Sequence, residues 1–289
     1  MSKPYGGQSM IAPLKRVLVK RPDASFAITD IEKWNYSGIP DLENAQREHD
    51  TFVGHIRTFG AQIIYHDSDQ TKSADSIFVF DPVLITNYGA IILKMGKNLR
   101  VGEEVAMDQR LKSLGIPILA RLRGKARAEG GDLLWINEKT LAVGIGFRTN
   151  IEGLRQLANI LAKSGISVIP VELPYYKGPH SCLHLLSLIS IVDHHLAVVH
   201  TPLLTVAFWQ FLIDSGFRLL EVTEEEFLTM GTNILALKPG LCVMLEGNNN
   251  IQKSLEQAGC KIITYKGNDI SLKAEGGPTC LTLPILRGT

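Results

Sequence analysis

This sequence lacks an excess of either charge: 30 basic residues face 29 acidic ones, a formal +1 at pH 7 over 289 residues. A chain that grips a nucleic-acid backbone needs a broad basic face, so this balance argues for a small-molecule partner instead. Long apolar runs are missing too. The densest, Cys182 to Val192, is interrupted by His184, Ser187 and Ser190, and falls far short of the roughly 20 apolar residues that cross a bilayer. Met1–Gly7 lacks the apolar core of a signal peptide, so neither membrane insertion nor export is expected. Cysteine is scarce: the four, at positions 182, 242, 260 and 280, form no CxxC pair and no disulfide-framework spacing. Reduced thiols in a cytoplasm are the expectation. No Pro/Ser-rich linker and no run of like charge divides the chain, so one domain over residues 1–289 is expected.

What the sequence does contain is a repeat. An amphipathic helix ending at a glycine and followed by a short β-branched strand recurs five times. The glycines are Gly60 before QIIYH, Gly115 before IPILA, Gly165 before SVIPV, Gly216 before FRLLEV and Gly259 before CKIITY. Their spacing is roughly 50 residues, a period that marks a repeat architecture, and glycine just past a helix end takes the left-handed conformation without steric cost. Between them, residues 83–93, 133–144, 186–199 and 234–245 each read as strand, polar turn, strand. The fifth hairpin is split: KRVLVKRP near the start and TCLTLPIL near the end would pair and close a ring. One helix is expected from Asn150, a good N-cap, with Ile151, Leu154, Leu157, Ala158 and Leu161 in one stripe. The expected fold is therefore α/β, a closed ring of five ββαβ units; the plainer alternative is an ordinary α/β protein in which helix–Gly–strand recurs by chance.

Four places in this pattern can carry chemistry. Cys280 lies in the glycine-rich stretch AEGGPTCLT at a strand mouth, where a ligand can approach the backbone closely. Cys242 and Cys260, within apolar runs, read as small buried hydrophobes; Cys182 is harder to dismiss, being two residues from His184. Glu129 and Asp132 flank two glycines before the strand LLWI, which reads either as a polar turn or as a carboxylate aimed into a central cavity. His184 sits in what reads as an apolar strand, where histidine is more often a core residue than a catalyst. Asp75 and Asp81 bracket SIFVF ahead of the first hairpin. Asp81, Glu129, His184 and Cys280 all fall near the first hairpin strand of different units, and equivalent positions in a ring converge on its axis. No zinc-ligand spacing is present.

The ordered set DSIFVFDP, EGGD, GFRTN, LHLLS and GGPTCLT resembles the pentein, or guanidino-group-modifying, superfamily over the whole chain. Within it the chain is most similar to the dimethylarginine dimethylaminohydrolase branch. The resemblance implies a five-bladed α/β propeller, and roles for particular residues. It makes Cys280 the nucleophile, His184 the general acid/base, and Glu129 the carboxylate that orients the histidine or binds the guanidinium. Asp81 and Asp75 would grip guanidinium nitrogens, while Arg148 and a second arginine, Arg100, would bind the substrate α-carboxylate. It implies no cofactor, no metal, and a homodimer. Two positions depart from the pattern. Leu186 stands where arginine deiminases have an acid, and Phe80 where the methylarginine branch has one; an aromatic there suits a bulkier, N-substituted or less basic group through a cation–π contact.

The implied reaction is hydrolysis of N-methylated arginine to citrulline and a methylamine or dimethylamine, through a covalent thiouronium. The alternatives are an arginine deiminase or dihydrolase, a hydrolase of another substituted guanidine, an amidinotransferase, and a non-catalytic ring that binds a ribosomal subunit, as in the translation initiation factor six family. The set of Cys280, His184 and Glu129 counts against the last of these.

Overall fold

The computed structural model describes residues 3–67 and 73–288; Met1 and Ser2 of the N-terminal stretch read above lie outside them. Five three-stranded sheets are present, and each repeats one rule: a hairpin is antiparallel, and its second strand pairs in parallel with a third that follows a helix. Val83–Thr86 pairs antiparallel with Gly89–Ile92, which pairs in parallel with Ile118–Arg121. Leu133–Asn137, Thr140–Ile145 and Ser167–Glu172 do the same, as do Leu235–Lys238, Leu241–Leu245 and Lys261–Tyr265. The split unit closes as expected, Leu14–Val19 pairing antiparallel with Leu283–Arg287 and parallel with Gln62–Tyr65. Pairing the two segments places Leu14–Val19 at the centre of its sheet, so that neither of its edges is left open.

The glycines that marked the repeat are all left-handed, with φ of 103° at Gly60, 72° at Gly115, 69° at Gly165, 81° at Gly216 and 93° at Gly259. The helix expected after Asn150 runs Ile151–Ala162, and the Asn150 side chain accepts from the Gly153 amide. Leu157 and Leu161 are fully buried, each worth roughly 1.5–3 kcal/mol of burial, whereas Ile151 is exposed. The remaining unit differs from expectation. Residues 185–188 form a short helix, and the strands are Ile189–Asp193 and Leu196–Val199, with Arg218–Glu221 completing the sheet. His184 is therefore the residue that caps this helix and is not part of a strand. Its own amide donates to the Ser187 hydroxyl at 3.1 Å, and the Leu185 amide donates to Asp132 at 3.0 Å, so side chains satisfy the first turn.

The first strand of each hairpin faces the ring axis. Val83, Ile85, Trp135, Ile191, Ile234, Ala236 and Leu283 line a narrow axial channel of about 40 Å³. The residues just ahead of these strands consequently gather at one end of the ring. Among the described residues, no helix is long and apolar enough to cross a membrane.

Two further histidines lie outside the first hairpin strands: His66 follows the strand Gln62–Tyr65, and His49 packs beside Tyr65. His49 and His66 are buried; neither ring nitrogen of His49 has a hydrogen-bond partner, nor does Nδ1 of His66. Burial lowers both to about 4, with Lys20 and Arg110 adding to the effect at His66 and Asp50 partly opposing it at His49. Because the unfolded chain takes up these protons near pH 6.5 and the folded one near 4, stability is full above about 6.5 and falls as pH drops toward 4. The loss is at most about 3 kcal/mol per histidine. We expect the urea midpoint to fall steeply between pH 7 and pH 4.5, and the fall to be shallower in His49→Leu; a midpoint that is flat over this range would contradict it.

Candidate active site

A cavity of about 400 Å³ opens at the end of the ring from which the inner strands start. Four units send one residue each into it from the turn preceding the inner strand: Asp81, His184, Asn233 and Cys280. Glu129 occupies the same repeat position in the fifth unit and is fully buried behind the wall.

Glu129 organises the group. One carboxylate oxygen accepts from the amides of Gly96 and Lys97 at 2.8 and 2.9 Å; the other accepts from Arg148 Nη1 at 3.1 Å and faces His184 Nε2 at 2.8 Å. Burial alone would raise its pKa, but His184 and Arg148 hold the carboxyl far below the usual carboxylate range. His184 responds in the opposite sense. Burial disfavours its charge, yet Cys182, Asp132 and Glu129 outweigh that and hold the imidazole well above its ordinary value. With a proton on Nε2 directed at Glu129, Nδ1 is the nitrogen left for chemistry; it lies 3.6 Å from the Cys182 sulfur. Gly131 makes the ring position possible, since a Cβ there would lie 2.3 Å from Nδ1. Beneath the ring, burial pushes Asp132 up to about 6 against the pull of His184.

Cys280 is half-buried. Asn233 Nδ2 donates toward its sulfur at 3.6 Å, and the same amide's oxygen accepts from the Thr279 amide at 3.0 Å and hydroxyl at 2.8 Å. Asn233 thus fixes the turn that carries the thiol, and Gly277 leaves room for it: a Cβ on Gly277 would lie 2.5 Å from the amide carbon. Burial first, and Asp81 second, push the Cys280 thiol up to about 11, with a weaker opposing pull from His184.

Asp81 accepts from the Gly131 amide at 2.8 Å and is ion-paired to Arg100. Asp75 accepts from Tyr36 at 3.0 Å and from Lys97 at 2.7 Å, and Lys97 also reaches the Trp34 carbonyl at 2.7 Å. Two expectations are corrected here. Arg100 is not available to a substrate carboxylate, because Glu103, Asp81 and the Phe78 carbonyl take its guanidinium nitrogens. Phe80 does not line the cavity. It packs between two apolar clusters and faces the axial channel, while Phe78 lines the cavity in its place. The short 3₁₀ turn Ala74–Ile77 precedes these residues, so strand-like alternation cannot say which of them points inward.

Reading the sequence also missed Asn233 and Lys97. Asn233 stands at the repeat position that selected its four counterparts, so the same logic reaches it; Lys97 comes from a loop with no such signal. Asn35, Tyr176, Met230 and Glu275, which line the cavity, all have positive φ without being glycine. Such strain persists where surrounding structure enforces it, commonly at ligand sites.

Asp81, Glu129 and His184 offer ligand atoms within 4.8 Å of one another. The donor set nevertheless does not fit a cation: both Glu129 oxygens already accept two hydrogen bonds each, and Asp81 is matched by Arg100. The arrangement suits instead a nucleophilic thiol, an acid–base imidazole fixed by a carboxylate, and paired charges lining a pocket.

The family described as "N,N dimethylarginine dimethylhydrolase, eukaryotic" matches residues 31–287. The N(G),N(G)-dimethylarginine dimethylaminohydrolase of Pseudomonas aeruginosa is 25% identical over 269 residues, which is 93% of this chain and 98% of that protein. A solved structure of the enzyme from that organism, complexed with citrulline, superimposes with a TM-score of 0.78 at 24% identity, covering 94% of this chain and 99% of the other. The arginine deiminase of Listeria welshimeri is 27% identical over 256 residues, 73% of this chain and 61% of its own length.

Burial and Asp81, which push the thiol up to about 11, keep Cys280 overwhelmingly protonated near neutral pH. Alkylation of Cys280 by iodoacetamide, followed by peptide mass spectrometry, should accelerate about tenfold per pH unit up to about pH 10. Asp81→Asn should move the inflection downward. A plateau already reached by pH 8 would contradict the burial argument.

Proposed function

The chain belongs to the dimethylarginine dimethylhydrolase family, and from that premise we propose that it is a cysteine-dependent hydrolase of a guanidino compound, with an N-methylated arginine as substrate. Citrulline and methylamine or dimethylamine are then the products. The observation that carries this reading is the convergence of Cys280, His184 and Asp81 on one cavity, with Glu129 locked to the imidazole.

A guanidinium carbon is a weak electrophile because its charge is delocalised. Acids along its edge hold it in plane by charge-assisted hydrogen bonds and leave its face open; Asp81 and Asp75 suit that task. Cys280 enters the cycle protonated. A cation arriving beside Asp81 offsets the carboxylate that raises the thiol's pKa, so the bound substrate itself favours the thiolate. The thiol proton passes to solvent in the open cavity, and the sulfur adds to the carbon. His184, held in its charged form, gives a proton to the leaving amine, and the C–N bond breaks to leave an S-amidinated Cys280. The neutral imidazole then takes a proton from water as the hydroxyl adds to that carbon, and breaking the C–S bond releases the ureido product and restores the thiol. Arg148 borders the cavity and answers a substrate carboxylate. No cofactor takes part in these steps. We treat the five units as one catalytic domain, and its four free cysteines fit a reducing cytoplasm.

One observation favours a second reading. Both acids offered to the guanidinium already hold a cation, Arg100 at Asp81 and Lys97 at Asp75. A less basic, differently substituted guanidine would lose less from that competition than methylarginine.

A product screen tests both readings. Arginine, mono- and dimethylarginine, and guanidino acids lacking the α-amino group are incubated with protein and assayed for ureido product. We expect product from the methylarginines, none with Cys280→Ser, and a loss of at least about 100-fold with His184→Ala. Product from another member alone would move the substrate and keep the chemistry. Turnover by Cys280→Ser would sink the mechanism.

A further inference from the structure

A second cleft, of about 430 Å³, adjoins the reaction cavity and shares Asn35, Lys97 and Arg148 with it. Its lining includes Lys33, Lys97, Arg127, Arg148 and His180, and no acidic side chain. The two shared cations are balanced from the inner side, Lys97 by Asp75 and Arg148 by Glu129. Lys33, Arg127 and His180 take part in no ion pair among the described residues. At the reacting end, then, Asp75, Asp81 and Glu129 each face a cation, and Glu275 is the one acid of the cavity lining outside any ion pair among the described residues, whereas the charged side chains lining the cleft beside it are all basic. Over the whole chain the formal charge is only +1, so this excess is a local feature. Charge of one sign in a cleft focuses the field and concentrates ions of the other sign.

Position makes the excess relevant to the substrate. Lys97 ties the cleft to the reacting end: its ammonium reaches Asp75 and the Trp34 carbonyl and lies 5.6 Å from the Trp34 ring centroid. Trp34 ends the short helix that carries Lys33, and Asn35, in the left-handed conformation, turns the chain out of it. The thiol's cavity and the basic cleft therefore meet along Lys97 and Arg148. Exposed Phe147, packed edge-on against Tyr175 at 5.7 Å, forms its outer rim.

We propose that this cleft is a second anion subsite, which takes a carboxylate or phosphate that the substrate carries beyond the carboxylate met by Arg148. The preferred substrate is then a guanidino compound with two anionic groups. This rests on the guanidino-hydrolase reading of the cavity, and the test separates the two.

The first arm needs no turnover: inorganic phosphate and a simple dicarboxylate are titrated calorimetrically into the wild type and into Arg127→Ala and Lys33→Ala, both surface changes. The second compares kcat/KM for guanidino compounds bearing one carboxylate, two carboxylates, or a carboxylate and a phosphate. We expect anion binding that weakens in both variants. We also expect a preference of about tenfold or more for a doubly anionic compound, expressed in KM, reduced in the variants and by high salt. Which of the two such compounds leads identifies the group. Equal kcat/KM for singly and doubly anionic compounds, or a preference that both variants retain, overturns the subsite while the hydrolase reading stands. Anion binding that the variants abolish, with no guanidino compound turned over, keeps the anion site and overturns its assignment to a guanidino substrate.

Discussion

Everything at the reacting end of this ring depends on a carboxylate that water does not reach. Glu129 is fully buried and survives there as an anion because four donors meet it: two backbone amides from the loop at 96–97, Arg148, and His184. An unpaired charge in such a place would be prohibitively costly, and removing a single partner of a buried ion pair typically costs 3–5 kcal/mol. The donors come from three successive units of the ring, so the carboxylate both fixes the imidazole and holds those units in register. The same logic repeats around it. Arg100 is enclosed by Asp81 and Glu103, and Lys97 by Asp75. Each of these charges is admitted only with its counterion, and together they come close to neutral before any ligand arrives.

That neutrality shapes the chemistry. A thiol close to an acid and partly withdrawn from water holds its proton more tightly, and Cys280 is pushed up to about 11 in this way. The imidazole has the reverse bias, kept charged by the groups beneath it. On the proposed reading, the idle site contains a protonated nucleophile and a loaded acid, a resting pair and not an activated one. In the proposed mechanism, activation falls to a cationic ligand that offsets Asp81. This couples specificity to reactivity: a molecule without positive charge at the right place leaves the thiol inert. The arrangement also guards the thiol against adventitious electrophiles, because nucleophilicity resides in the thiolate.

Much of this was legible in the sequence, for reasons that differ by level. The five left-handed glycines and the hairpins are local features, set by backbone sterics and by strand alternation, and they could be read one at a time. The convergence of Asp81, Glu129, His184 and Cys280 is non-local, yet the repeat made it readable, since equivalent positions of a closed ring must meet. Asn233 obeyed the same rule and was overlooked because an asparagine before a strand suggests no chemistry by itself. Orientation was what the sequence withheld. Phe78 and Phe80 follow an irregular turn, and only packing decides that the first lines the cavity and the second the axis. Arg100 looked free because its partner Glu103, which opens the next helix, declares itself only once both are buried. His184 looked like a strand residue within an apolar run, until Asp132 and Ser187 are seen to satisfy a short helix behind it.

The claim at the centre of this account is that the reaction passes through a covalent bond to Cys280. Acid-quenching the protein during turnover of a slow guanidino substrate, followed by peptide mass spectrometry, tests it directly. The account predicts an amidino adduct on the peptide carrying Cys280, which decays as product forms. Turnover without any adduct, or an adduct on Cys182 in its place, would contradict it.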